Sequence, residues 1–229
     1  MKLVLFDIDG TILWTDGAGR RAMEAALRAT YGVAGDPAYR YDGKTDRQIA
    51  REQMRAAGVP DPVIDAGIDA LFATYLGNLE RELQVAPDAA LLLDGVAAAL
   101  DAVEARTDAV MGLLTGNVAG GAARKLGAVG VSVQRFRVNA FGCDHEHRPE
   151  LPGIAQRRAA EQLGTSIAGE DVVIIGDTPA DIACGRPIGA RAIAVATGRY
   201  SVDDLASHAP HAVLPDLRDT ARVLEAIFA

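Results

Sequence analysis

Asp7-Ile8-Asp9-Gly10-Thr11 sets two carboxylates one residue apart, directly after the apolar run at residues 2–6. Held about 4 Å apart at an effective dielectric near 20, two like charges repel by about 4 kcal/mol, so such a pair calls for a cation or a shared proton. A second acidic pair, Asp177 and Asp181, lies in Gly176-Asp177-Thr178-Pro179-Ala180-Asp181 after the apolar run 172–175. Asp177 can ligate a hard metal ion, and Asp181, one helical turn later, can stand behind it. Thr115-Gly116-Asn117 follows a third run, 110–114, and offers a hydroxyl and the N–H groups of an opening helix to a phosphate oxygen. Each cluster alone has an ordinary reading as an acidic glycine turn or a helix N-cap. Polar clusters at the ends of three apolar runs point instead to one shared site.

Chemistry at strand ends requires a sheet to position it. Residues 2–6, 110–114, 172–175 and 192–196 read as buried parallel strands whose carboxyl ends carry the polar residues, the place where open α/β sheets put their ligands. Helical signals at 94–105, 118–126, 151–163 and 179–188 alternate with them, the last opening with Pro179. The expected class is α/β, a doubly wound parallel sheet, built from residues 1–14 and 88–229. Residues 15–87 differ: 19–31, 46–57 and 64–83 have helical periodicity and no strand stands among them. This all-helical cap leaves the sheet just after Asp7 and returns before Leu91, so it is expected to act as a lid over that strand end.

The 229 residues suffice for one large core with a subsidiary lobe. Hydrophobic residues make up 49% but aromatics only 5%, as suits helices packed on a sheet. A formal charge of -8 disfavours nucleic acid, and it obliges any anion site to carry its own positive charge, from a metal or a placed Arg. The N-terminal apolar run is too short for an export signal or a membrane span, and Cys143 and Cys184 read as free thiols. A cytoplasmic protein without a membrane partner, monomeric or homodimeric, is the expectation.

These residues resemble the haloacid dehalogenase-like hydrolase superfamily, in its helical-cap subgroup of phosphoglycolate phosphatase-like members. The DxDGT motif of that family is met at Asp7 to Thr11, its Thr or Ser at Thr115, and its GDxxxD at Gly176 to Asp181. For the family's basic residue the chain offers Arg148-Pro149 rather than Lys-Pro; Lys125, inside the helix after Thr115, reads as a solvated lysine. The resemblance implies Asp7 as nucleophile, Asp9 as general acid and base, and Thr115 and Arg148 as ligands of the phosphoryl oxygens. It implies Mg²⁺ at a site built from Asp7, the main-chain carbonyl of Asp9, Asp177 and Asp181. It also implies that the cap loop Gly43-Lys44-Thr45-Asp46, with Gly116 and Asn117, meets the substrate. Gly-Lys-Thr is not a P-loop, because position 38 is Ala and no strand precedes it.

The implied activity is hydrolysis of a small phosphorylated metabolite, phosphoglycolate-like or another small organic phosphate. The rivals are a sugar phosphomutase, a pyrophosphatase of the same fold, and a phosphate-binding module without turnover. Cys143, His145 and His147 read as a polar loop after a strand, His208 and His211 as a solvated loop near Pro210, and Trp14 as packing in the hinge between core and lid.

Overall fold

A computed structural model describes residues 1–229. Six strands form one parallel sheet: β1 (Lys2–Phe6), β4 (Ala109–Leu114), β5 (Val138–Ala140), β6 (Val172–Gly176), β7 (Arg191–Val195) and β8 (Ala212–Leu214). Their order across the sheet is β5-β4-β1-β6-β7-β8. β1 lies at the centre, with Phe6 beside Leu113 on one side and Ile175 on the other. Its residues Leu3, Val4, Leu5 and Phe6 are fully buried, because helices cover both faces of a parallel sheet and leave no polar side for alternation. Asp7, Thr115 and Asp177 therefore emerge side by side at one sheet edge.

One face is covered by α4 (Val96–Glu104), α5 (Ala119–Ala128) and α9 (Thr220–Phe228), the other by α6 (Leu151–Leu163) and α7 (Pro179–Cys184). The short α8 (Val202–Ala206) packs through Leu205 beside β7. The expected helix at 179–188 stops at Cys184: Pro187 has no N–H to continue the ladder, and Arg186–Ile188 turns as a 3-10 segment. β5, β8, α8 and α9 lie beyond the expected elements; the two strands are only three residues long, too short for a period to register. His211 is exposed in the bend just before β8, and its Nδ1 accepts a 3.2 Å hydrogen bond from Ala192 N.

Between β2 (Leu13–Trp14) and β3 (Leu91–Leu92), a two-stranded antiparallel ribbon, the chain folds three helices. These are α1 (Ala18–Tyr31), α2 (Asp46–Ala56) and α3 (Asp61–Val85). They share an apolar cluster of their own, including Met23, Leu27, Met54, Ile64, Leu71 and Tyr75, into which Val118 of the sheet domain also packs. Trp14 sits in the ribbon joining the two parts, with its indole N–H donating to Thr197 O at 3.3 Å.

Candidate active site

The loop after β1 is wound tightly enough to present both acids. Asp7 N donates to Ile175 O at 2.9 Å, Ile12 N to Ile8 O at 2.8 Å, and Gly10 takes φ +81°, a conformation that a side chain resists. Thr197 Oγ1 donates to Gly10 O at 2.6 Å, which ties this loop to the end of β7.

Asp7, Asp177 and Asp181 are all buried, and one carboxylate oxygen from each falls within 4.8 Å of the others. A single cation answers them: Arg148 Nη2 lies 3.1 Å from Asp7 Oδ2 and also donates to Asp181. Burial would lower the affinity of Arg148 for its proton, but Asp181 and Asp7 together hold it above the ordinary guanidinium value. Burial raises Asp7 to about 6 against the opposing pull of Arg148, and burial raises Asp177 well above the carboxylate range. Three carboxyl groups share one guanidinium, so their full ionisation would leave net negative charge in a dry place and calls for a further cation.

That deficit is the chemistry of a divalent-cation site, and the backbone around it has been kept clear. A methyl group on Gly198 would fall 1.8 Å from Asp177 Oδ2, and one on Gly10 would fall 2.4 Å from the same oxygen. Thr11 Oγ1 donates to Asp177 Oδ1 at 3.2 Å. Asp181 is engaged differently: one oxygen takes Arg148, and the other accepts from Thr178 N at 3.0 Å and Thr178 Oγ1 at 2.6 Å in a capping box. One of its oxygens is thus fully engaged and the other shared with Arg148, so the residues that fit a cation most directly are Asp7 and Asp177, with Asp181 behind them.

Asp9 points away from this cluster. Lys125 Nζ donates to both of its oxygens at 2.8 Å, and Asn117 Nδ2 donates to Oδ2 at 2.7 Å and to Thr115 Oγ1 at 2.9 Å. Lys125 is only 5% exposed, so the reading of a solvated lysine is corrected. Burial of its stem along α5 is compensated by the Asp9 carboxylate.

The cap is docked over these groups. Asp46 N donates to Gly116 O at 2.7 Å, Asp46 Oδ2 accepts from Val118 N at 2.8 Å, and Thr45 Oγ1 donates to Glu146 O at 2.6 Å. Arg51 Nε completes the seam at 2.7 Å from Glu146 Oε2. The loop carrying Cys143, His145 and His147 thus supplies a docking ledge for the cap through Glu146, which no sequence pattern revealed. Thr45 also caps α2, its hydroxyl accepting from Gln48 N.

Cap and sheet domain enclose a cavity of about 190 Å³. Asp7, Asp9, Thr115, Gly116, Asn117, Arg148 and Asp177 line its floor, and Gly43, Lys44 and Asp46 line the cap side. Thr45 and Asp181 are buried outside that lining. Lys44 Nζ is held by Tyr39 OH at 2.6 Å and Glu52 at 2.7 Å, and Lys125, Tyr75 and Arg199 complete a polar wall that the motifs alone did not reveal.

A HAD-hydrolase-like family model matches residues 152–220, the part that carries Asp177 and Asp181. Among solved structures, a hydrolase from Pseudomonas syringae is 19% identical and superposes with a TM-score of 0.73 over 100% of both chains. The chain has a haloacid dehalogenase-like fold. A predicted phosphoglycolate phosphatase from Haemophilus somnus shares the haloacid dehalogenase-like fold over 98% of both chains, at 16% identity and TM-score 0.66. A β-phosphoglucomutase from Clostridium difficile does so over 99% of this chain and 97% of its own, at 16% identity and TM-score 0.73. No curated protein matches the sequence significantly. At these identities the likenesses establish the fold, and the chemistry has to be argued from the site.

Proposed function

We propose that this haloacid dehalogenase-like protein is a Mg²⁺-dependent phosphatase of small phosphomonoesters, acting through an aspartyl-phosphate on Asp7. The observation that carries this reading is the placement of Asp7: a buried carboxylate at the carboxyl end of the central strand, 3.1 Å from Arg148, facing a cavity of about 190 Å³ with Asp9 two residues away. A cavity of that size suits a small metabolite. The neighbouring structures described as phosphatases and a phosphomutase agree with phosphoryl transfer as the class.

In the first step an Asp7 oxygen forms a bond to phosphorus while the bond from phosphorus to the ester oxygen breaks. The departing oxygen keeps the electron pair and takes a proton from the Asp9 carboxyl. In the second, water attacks the aspartyl-phosphate, Asp9 accepts the water's proton, and Asp7 is released as carboxylate. Arg148 and the Thr115 hydroxyl hold phosphoryl oxygens, Arg148 against the charge that builds in each transition state. Asn117 and Lys125 hold Asp9. A Mg²⁺ ion held by Asp7, Asp177 and the Asp9 carbonyl would offset the repulsion between carboxylate and phosphate. We assign residues 15–87 as the moving lid, hinged on the ribbon at Trp14 and Leu91, with Gly43, Lys44 and Asp46 touching the leaving group.

The test is phosphate release from a panel of phosphoglycolate, sugar phosphates, nucleotides and pyrophosphate, with Mg²⁺ and with EDTA. Metal-dependent release from one or a few monoesters is expected. Conversion of a sugar 1-phosphate to its 6-phosphate without release would transfer the reading to a mutase, and silence from the whole panel by folded protein would overturn both.

A further inference from the structure

Lys125 is the one buried lysine of the chain. It stands ten residues beyond Thr115, on the face of α5 that also carries the buried Gly121, Ala122 and Leu126. Its ammonium spends two of its three donors on the two oxygens of Asp9, at 2.8 Å each, and Asn117 adds a third hydrogen bond at 2.7 Å. Asp9 belongs to a loop and its side chain is 37% exposed, so packing alone does not fix it. Its orientation is set by these three polar contacts, two of them from Lys125.

The cap closes on the same lysine. A methyl group on Gly19 in the first turn of α1 would lie 3.1 Å from Lys125 Nζ and 3.3 Å from Cε, and it would lie 3.8 Å from Tyr75 OH. Gly19 therefore lets α1 approach the ammonium at van der Waals distance. One on Gly121, a turn earlier on α5, would touch the Tyr75 ring at 3.5 Å. If residues 15–87 move as the lid assigned above, opening would carry Gly19 away from Lys125 and admit water to the buried ammonium.

We propose that Lys125 is a positioning residue for the leaving-group step, holding Asp9 where the departing oxygen must receive its proton and doing so fully only when the cap is shut. The inference rests on the phosphatase reading above. A proton donor displaced by about 1 Å loses roughly 100-fold in rate, and general acid catalysis as a whole is worth about 100- to 10,000-fold. The loss should fall on substrates whose leaving oxygen needs a proton.

The test compares kcat/KM of wild type and Lys125→Met for two phosphoryl donors. One is acetyl phosphate, whose acetate departs as the anion. The other is the alkyl phosphate of the panel that wild type turns over fastest. Because kcat/KM reports steps up to phosphoryl transfer to Asp7, hydrolysis of the common intermediate does not obscure the comparison. The expected result is a loss of about 30- to 100-fold with the alkyl phosphate and less than about threefold with acetyl phosphate. Equal losses with both donors, or none with either, would overturn the positioning role while leaving the phosphatase intact. Wild type inactive on both would instead overturn the phosphatase reading beneath it. Circular dichroism confirms the fold of the variant, and Lys125→Ala, which leaves room for water, carries the same comparison if the methionine variant does not fold.

Discussion

Asp46 of the cap accepts a 2.8 Å hydrogen bond from the backbone N–H of Val118, which joins the first turn of α2 to the start of α5. The carboxylate is buried, and that burial raises it from 3.8 to about 6 although Lys125 pulls the other way. A raised folded value means that the folded protein holds a proton that the unfolded chain has given up. Between about pH 4 and pH 6 the folded state binds more protons, so Asp46 makes stability fall as pH rises, and above pH 6 the cost is constant. Asp46→Asn cannot titrate and keeps an oxygen for Val118. Its stability relative to wild type should therefore rise from pH 4 to pH 6.5, as urea denaturation at several pH values would show. The rise is at most about 3 kcal/mol, since each tenfold change in proton affinity is worth about 1.36 kcal/mol. A difference between the two proteins that stays flat across this range would contradict the buried latch.

Arg148 is the only cation among Asp7, Asp177 and Asp181. Arg148→Met leaves buried carboxylates without a partner, which typically costs about 3–5 kcal/mol. It also removes a donor to the transferring group, worth roughly 100- to 1,000-fold in kcat. Both losses are expected together, read by denaturant titration and by phosphate release; a variant of full stability would show that the pair adds nothing to the fold.

Gly198 lies against Asp177 alone among the acidic groups that a Cβ there would meet. Its backbone is open to any residue, but a methyl group there would lie 1.8 Å from Asp177 Oδ2, so Gly198→Ala must push that oxygen aside. The Mg²⁺ concentration for half-maximal activity should rise by about tenfold or more, with activity largely recovered at saturating metal, as expected when a ligand is displaced rather than lost. Unchanged Mg²⁺ dependence would remove Asp177 from the site.

What is legible in the chain divides along physical lines. Asp7 to Thr11 and Gly176 to Asp181 can be read because each is a local pattern at the end of a long apolar run, and the parallel sheet follows from those runs. Lys125 cannot, because its partner Asp9 lies 116 positions away and a lysine in a helix is ordinarily solvated. A signal exists nonetheless: Lys125 follows Gly121 by four and Ala122 by three, which places it on the buried face of α5. Thr45 shows the opposite error. Its membership in a substrate-like loop is visible, but its hydroxyl caps α2 and reaches Glu146 O, a contact that only the docked cap creates.

Asp7→Asn tests the covalent step with little change of shape. Burial holds the Asp7 carboxyl near 6, so a neutral amide of the same size is tolerated there, and Arg148 keeps Asp181 as its partner. The unfolding midpoint should stay close to that of wild type. Turnover, however, should fall to background, because an amide is a poor nucleophile and Asp9 is already engaged in proton transfer. Acid quenching after mixing with labelled substrate should trap phosphate on wild type and none on the variant. If Asp7→Asn still released phosphate at an appreciable rate, water would be attacking the ester directly. The function of Asp9 would then be that of a general base in a single step.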